Sequence, residues 1–492
     1  VTTTPTSPTS TTTATGGRRE ALVDRLRGGQ RYAVVAGGQG EPWLEPLAAL
    51  VRDFALESDV AGLVARAEQR LAPVAAELLR TGVDVAPLAW LDALAVGESA
   101  EDDDAPEVPD AAALQAPAVS VPGILLTQLA GLAALQRQGL DVVATPPVAC
   151  AGHSQGAYVV EALAGADPAD LYARLAGAAA QVVGRRRDLL GATMLSVSGE
   201  SPERVAAALA SLPASAGVVT RLRNGRRAVV LSGPQEGLRR AVALLDELAA
   251  AEKDERASKL TGGAPFAPVV EPVAARLAFH HPDLDAAADL AATWADVCGL
   301  DAEQARRLTR RAIVDPVDWV AEVERVLDAG AEWLLDVGPG DLAARLSAGE
   351  AKVRGAGVVS VATRRGHREL TVPGAAPRRS RPWSSYAPTA ATLPDGSLRV
   401  ETAFTRLTGL SPVLLAGMTP TTVDAKIVAA AANAGFWAEL AGGGQVSEPI
   451  FADRMVELRE LLEEGRTFQF NSLFLDPYLW KLQLGGQRLV QK

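Results

Sequence analysis

Apolar positions change period several times along the chain, and each change predicts an element. "REALVDRLRGGQ" spaces its apolar residues for a short helix, whereas "RYAVVAGGQGEPW" is a continuous apolar run entering a glycine loop, the pattern of a buried strand. Helical spacing fills residues 44–97, and a further helix is predicted around "GILLTQLAGLAALQRQG". It leads to the β-compatible run "DVVATPPVACA", then to "GHSQG" and an Ala-, Val- and Leu-rich stretch with helical spacing. From Ala192 the texture becomes "TMLSVSG", "SPERVAAALASL", "GVVTRLRNG", "RRAVVLSG", "PQEGLRRAVALLDELAAA" and "PVAARLAFHHP". Read by period, this is strand, helix, strand, strand, helix, strand, the βαββαβ order of a ferredoxin-like unit. A small domain at about 192–279 is therefore expected inside a larger α/β one. The larger domain resumes with "DAAADLAATWADVCGL" and closes through "AIVDPVDWVAEVERVLDAGAEWLLDVGPGD".

Between the periodic segments lie stretches without a core pattern. The N-terminal "VTTTPTSPTSTTTATGG" has neither the charged nor the apolar region of a signal peptide and reads as a disordered tail over 1–18. "GESAEDDDAPEVPD" is acidic and carries prolines, as an exposed loop does. Residues 371–400 are rich in Pro, Arg and Ser, so a linker is expected over 371–410, and "SPVLLAGMTP" then opens a new strand. A length of 492 residues allows two or three domains, and 48% hydrophobic residues suffice for large cores. The net charge of -11 argues against a nucleic-acid surface, since the basic clusters GRRRD, ATRRGHREL and PRRSRP are short. No apolar run reads as a membrane span, so no membrane partner is expected. Two cysteines, Cys150 and Cys298, make no disulfide framework and fit a reducing, cytoplasmic compartment.

Candidate chemistry begins at Gly152-His153-Ser154-Gln155-Gly156, the GxSxG shape of a strand-to-helix turn that exposes a serine. Glycine at both flanks permits the sharp turn without Cβ clashes. The same residues also fit a buried serine at an ordinary βα turn. A serine hydroxyl needs a base to act as a nucleophile, and the chain has four histidines. His153 would point away on a tight turn, and His367 sits in an arginine-rich segment that reads as exposed. His280 and His281 in "AFHHP" remain, as a base or as a pair of surface histidines at a strand end.

The motifs "VVAGGQG", "GHSQG", "AFHHP", "DPVDW" and "DVGPG", in that order over about residues 31–345, resemble the acyl transferases that load carrier proteins in fatty acid and polyketide synthesis. The sequence is most similar to the acetyl transferase domain of type I fatty acid synthases of the fungal and actinobacterial kind. The resemblance implies an α/β-hydrolase-like acyl transferase core over 19–370 with the ferredoxin-like insert. It implies Ser154 as the nucleophile and His280 as its base, with Asp318 supplying the backbone carbonyl that orients the histidine. Gln39 and Gln155 would give the oxyanion-hole N–H groups, and Asn224 matches an asparagine near the substrate entrance. The substrates implied are acetyl-CoA and the phosphopantetheine thiol of an acyl carrier protein, alongside the other domains of a synthase. No cofactor or metal is implied for the transferase.

Acyl choice is less direct. Malonyl-selecting members place an arginine on the helix after the nucleophile, because a buried carboxylate needs a charged partner. Registering on Gly184 puts Val183 there and favours acetyl, while Arg185, Arg186 and Arg187 lie close enough that a slip of two residues would change the answer. Malonyl or another acyl group, a serine esterase, and a structural segment without catalysis are the alternative readings. Residues 411–492 resemble the start of the flavin-dependent enoyl reductase domain of the same synthases, a TIM-barrel-like segment. That likeness puts Ala416, Gly417, Met418, Thr419 and Asn471 beside FMN in a complete reductase. With about two βα units present, the segment is expected to be truncated and the chain to be a piece of a longer polypeptide.

Overall fold

A computed structural model describes residues 20–80, 87–96, 108–185, 191–258, 266–275, 277–381, 383–394, 396–473 and 475–491. The expected tail and most of the acidic loop lie outside them. The chain forms two compact units, residues 1–381 and 382–492.

Among the described residues, the first unit carries nine strands: β1 (Tyr32–Ala36), β2 (Ala149–Gly152), β3 (Ala192–Ser198), β4 (Val219–Gly225), β5 (Ala228–Pro234), β6 (Val269–Pro272), β7 (Val317–Asp318), β8 (Trp333–Asp336) and β9 (Gly357–Ser360). Four of them make a parallel sheet in the order β2-β1-β8-β9. Every residue of β1 is buried because the sheet is covered on both faces. Tyr32, Val34 and Ala36 pack into one core with the helices Leu44–Phe54, Pro117–Arg137 and Pro168–Arg185. Ala33 and Val35 pack into another with Trp319, Val323 and Ala343 from the helices Trp319–Asp328 and Leu342–Arg354.

The helix Pro117–Arg137 corrects the expectation about membrane spans, since by length and composition it could cross one. It is instead a core helix: 83% of its apolar window is buried inside the domain.

The insert has the sheet order β6-β3-β5-β4, with antiparallel β3/β5, β4/β5 and β3/β6 pairs. Val197, Val229 and Leu231 on one face bury against Val205 and Leu238 of the helices Pro202–Ala208 and Gln235–Ser258. Met194, Leu222 and Val230 on the other face enter the main core, which is how the insert docks. β7 adds to β4 in parallel as a fifth strand. The last strand of the insert is Val269–Pro272, not the "PVAARLAFHHP" segment. That segment is apolar because Leu277, Ala278 and Phe279 are enclosed on all sides, not because it is paired in a sheet.

In the second unit, β10 (Thr389–Thr392) and β11 (Leu398–Glu401) form an antiparallel hairpin, followed by the helix Ala403–Thr408. The stretch 371–410 is therefore not wholly linker. β12 (Leu414–Leu415), β13 (Trp437–Ala441) and β14 (Gln469–Asn471) form a parallel sheet, with the crossover helices Ala425–Asn433 and Glu448–Leu461 between them. Val428, Ala432, Leu440 and Leu458 form its core.

Candidate active site

β2 ends at Gly152, and Ser154 opens a single 3-10 turn that runs into the helix Ala157–Leu163. Ser154 holds a left-handed backbone at φ 55°. Both flanking glycines are required: a Cβ on Gly152 would stand 2.3 Å from the Gly156 carbonyl carbon, and one on Gly156 2.3 Å from Ala36 O. The turn thus presses against the end of β1 and presents Ser154 inward, only 7% exposed.

His280 lies eight residues beyond the end of β6, in a turn with φ 58°. Its Nε2 is 2.7 Å from Ser154 Oγ, and its Nδ1 is 2.6 Å from the carbonyl oxygen of Asp315. With Nδ1–H donating to that carbonyl, Nε2 is left as the acceptor facing the serine. Burial pushes the His280 pKa down to about 3, so the ring is neutral. Ser154 Oγ also lies 2.8 Å from Ala312 O. That carbonyl, in the last turn of the helix Ala302–Ile313, has no intrahelical partner and accepts from the Ser154 hydroxyl.

The orienting carbonyl is Asp315's and not Asp318's, a correction to the expectation drawn from "DPVDW". Asp315 precedes Pro316, which favours an extended backbone there, and its carbonyl faces the histidine. Asp318 is occupied elsewhere: its backbone pairs with Arg223 in β4, and its side chain caps the helix Trp319–Asp328 through Ala321 N–H at 3.1 Å. It also pairs with the Arg223 guanidinium at 3.2 Å.

Gln39 and Gln155 flank the serine. A Cβ on Gly38 would sit 3.0 Å from Ser154 Cβ, so the loop after β1 passes directly over the nucleophile and carries Gln39 with it. The Gln39 side chain donates to Ser120 Oγ, and Gln155 Nε2 donates to Val121 O at 3.2 Å. Both side chains are thereby tied to the helix Pro117–Arg137. Gln128 of that helix donates to Gly37 O at 2.8 Å and Gly338 O at 2.9 Å, holding the loops after β1 and β8 together.

The other histidines are structural. His281 Nε2–H donates to Gly217 O at 2.9 Å, and its Nδ1 accepts from Asp283 N–H at 3.2 Å. His153 Nε2–H donates to Asn224 Oδ1 at 2.9 Å, with its ring edge-on to Trp319. This places Asn224 one side chain away from the nucleophile turn. His367 is half-buried against Phe54, not exposed. Val183 is in the helix Pro168–Arg185, but its side chain lies outside the described residues.

A cavity of about 20 Å³ lies among the helices Pro117–Arg137, Pro168–Arg185 and Ala302–Ile313, and its lining includes Ala312, whose carbonyl meets Ser154 Oγ. Val121, Ala178, Ala179, Phe279, Thr309 and Ala312 are among its lining residues, and no charged side chain is among them. Sequence reasoning missed this wall, together with the Asp315 and Ala312 carbonyls. The only signal available was the apolar face of the helix Pro168–Arg185.

Residues 193–272, spanning β3 to β6, match a family model described as the fatty acid synthase central AT domain. The chain is 38% identical over 101 residues to the fatty acid synthase subunit beta of Saccharomyces cerevisiae, and 35% identical over 105 residues to a fatty acid synthase beta subunit of Cochliobolus carbonum. These matches cover 20% and 21% of this chain and only 5% of either relative's length. Over residues 193–272 the chain is thus similar to the central AT domain of fatty acid synthases. The fold is also that of the solved malonyl-CoA:acyl carrier protein transacylase of Xanthomonas oryzae pv. oryzae. That structure matches at a TM-score of 0.50 and 19% identity over 69% of this chain and 96% of the other.

In the second unit, the positions expected beside FMN gather at the ends of β12 and β14. Gly417 N–H donates to Glu439 Oε2 at 2.8 Å, Asn471 Nδ2 to the same oxygen at 3.2 Å, and Met418 N–H to Thr422 Oγ1 at 2.6 Å. Thr422 Oγ1 in turn donates to Ala416 O at 3.1 Å, and Thr419 packs against Gly443. These bonds engage the Gly417 and Met418 N–H groups and one N–H of the Asn471 amide with protein acceptors. Among the described residues there is no cluster of His, Cys, Asp and Glu suited to a metal.

Proposed function

We propose that the domain transfers an acetyl group from acetyl-CoA, through an ester on Ser154, to the phosphopantetheine thiol of an acyl carrier protein. The observation that carries this reading is the Ser154–His280–Asp315 relay at 2.7 and 2.6 Å. Ser154 Oγ attacks the thioester carbonyl as its proton passes to His280 Nε2. The oxyanion that develops is met by the Gln39 and Gln155 N–H groups, each donor of this kind supplying roughly 3 kcal/mol. The C–S bond breaks, and the proton on Nε2 goes to the leaving coenzyme A sulfur. In the second half the carrier thiol gives its proton to His280, attacks the ester, and Ser154 recovers its hydrogen.

The acetyl preference is supported by the cavity of about 20 Å³ that Ala312 and Phe279 help to line, Ala312 being the residue whose carbonyl meets Ser154 Oγ, with no charged side chain among its lining residues. A space of this size holds about one water-sized group, which suits a methyl and leaves a malonyl carboxylate unpaired. Mixing the protein with equal acetyl-CoA and malonyl-CoA and reading its intact mass tests the choice. An acetyl adduct should dominate and vanish in Ser154→Ala. A dominant malonyl adduct would contradict the acetyl reading and leave the transferase reading standing. In the synthase context the proposed partners are the carrier protein and the other catalytic domains, and the transferase step itself uses no cofactor.

A further inference from the structure

The insert strand β4 is irregular against β5. Its pairing passes from Thr220–Leu231 directly to Leu222–Val230, and from Arg223–Val229 directly to Gly225–Ala228, so Arg221 and Asn224 are each an extra residue with nothing opposite. A bulge of this kind bends the strand and re-aims the side chain it carries. Both re-aimed side chains end beside the Ser154–His280–Asp315 relay. Asn224 accepts from His153, the residue before Ser154, at 2.9 Å. Arg221 Nη1 donates to the carbonyl of Val314, the residue before Asp315, at 2.8 Å.

The Val314 bond bears on the carbonyl that orients His280. The peptide unit between Val314 and Asp315 is held at both polar ends: Asp315 N–H donates to Arg310 O at 2.8 Å, and Val314 O accepts from Arg221. Its plane is thereby fixed. Pro316 disfavours a helical Asp315 and brings no N–H, so the next peptide unit has only its carbonyl to offer, and that carbonyl meets His280 Nδ1 at 2.6 Å. Beyond the proline the chain pairs with β4 again, Val317 opposite Leu222 and Asp318 opposite Arg223. Residues 314–318 are thus bracketed by one strand of the insert.

We propose that Arg221 is a positioning residue for the relay: by holding the Val314 carbonyl it fixes the direction of the Asp315 carbonyl, and through that carbonyl the ring of His280. Its effect on acyl loading rests on the transferase reading above. The bond and the charge of Arg221 predict opposite signs. Burial holds His280 neutral and the Arg221 charge adds to it, so removing the charge alone would ease proton transfer to Nε2 and speed loading. Losing the bond to Val314 O would let the Asp315 carbonyl turn and slow it.

The test uses the full chain with Arg221→Met and Arg221→Ala, which keep no donor, and Arg221→Lys, which keeps one. Acetyl loading is followed by intact mass at varied acetyl-CoA. The His280 Nδ1–H proton is followed by NMR with isotope-labelled histidine, its signal identified by its loss in His280→Ala. Either donor-less variant should load on the order of 10- to 100-fold more slowly at saturating acetyl-CoA, the scale of a small misplacement of a catalytic group, with a half-saturating concentration within about twofold of wild type. The Nδ1–H signal should move upfield in the same variant, and Arg221→Lys should recover much of both. One donor-less variant suffices if the other does not fold. Wild-type rate and signal in a donor-less variant, faster loading, or a loss that Arg221→Lys does not recover at all would overturn the positioning role. Wild-type protein that forms no adduct would sink the transferase reading instead, while the Nδ1–H signal would still decide whether Arg221 orients His280.

Discussion

Ser154 and His280 both hold left-handed backbone conformations, at φ 55° and 58°, which residues with a Cβ adopt only when their surroundings compel it. The compulsion is the flanking glycines for Ser154, and for His280 the two hydrogen bonds at its ring nitrogens. Ser154→Ala should abolish acyl loading. His280→Ala should slow it on the order of 10²–10⁴-fold, as the loss of a general base does. His281→Ala should leave the loading rate near wild type and lower stability by about 1–2 kcal/mol, checked by denaturant melts, because it breaks the bond to Gly217 O. A histidine accepts a proton only when neutral, and burial lowers the His280 pKa to about 3. The working form therefore persists into acid, and the single-turnover loading rate should stay level over about pH 5 to 8. A fall centred near the ordinary histidine pKa would contradict that sign.

At the scale of elements, the strand, turn and helix around "GHSQG" were legible because the chemistry of the turn demands glycine at both flanks. Gly156→Ala forces a Cβ to 2.3 Å from Ala36 O, between two backbone segments that cannot both give way. Its expected result is a loss of several kcal/mol of stability and of most loading activity, read by thermal melts and by intact mass. The histidine pair was legible too, but not the carbonyl that orients it. "DPVDW" offers two aspartates, and only the packing of β7 on β4 decides that Asp318 faces Arg223 while Asp315 faces His280. The strand ending at Pro272 was misplaced because enclosure on all sides and strand alternation both yield apolar runs. The hairpin at 389–401 was hidden by the Pro, Arg and Ser around it, although "PDG" between short strands is a turn signal.

At the scale of the whole molecule, each unit has a hydrophobic core of its own. Residues 1–381 contain every group of the proposed relay, so that fragment alone should load acetyl at a rate within about twofold of the full chain. The full chain should remain colourless after incubation with FMN and desalting, because Glu439 already holds the Gly417 and Asn471 donors. A stoichiometric flavin spectrum would show that those bonds open for the ligand. The central claim, that Ser154 carries an acyl ester meant for a thiol, is tested most directly by a chase. Protein loaded with acetyl-CoA is stripped of excess and offered either buffer or a phosphopantetheine-bearing acyl carrier protein, and the intact masses of both proteins are followed. The acetyl mass should persist in buffer and move to the carrier when the thiol is present. Loss to water at the same rate with or without the carrier, or an adduct that survives in Ser154→Ala, would contradict it.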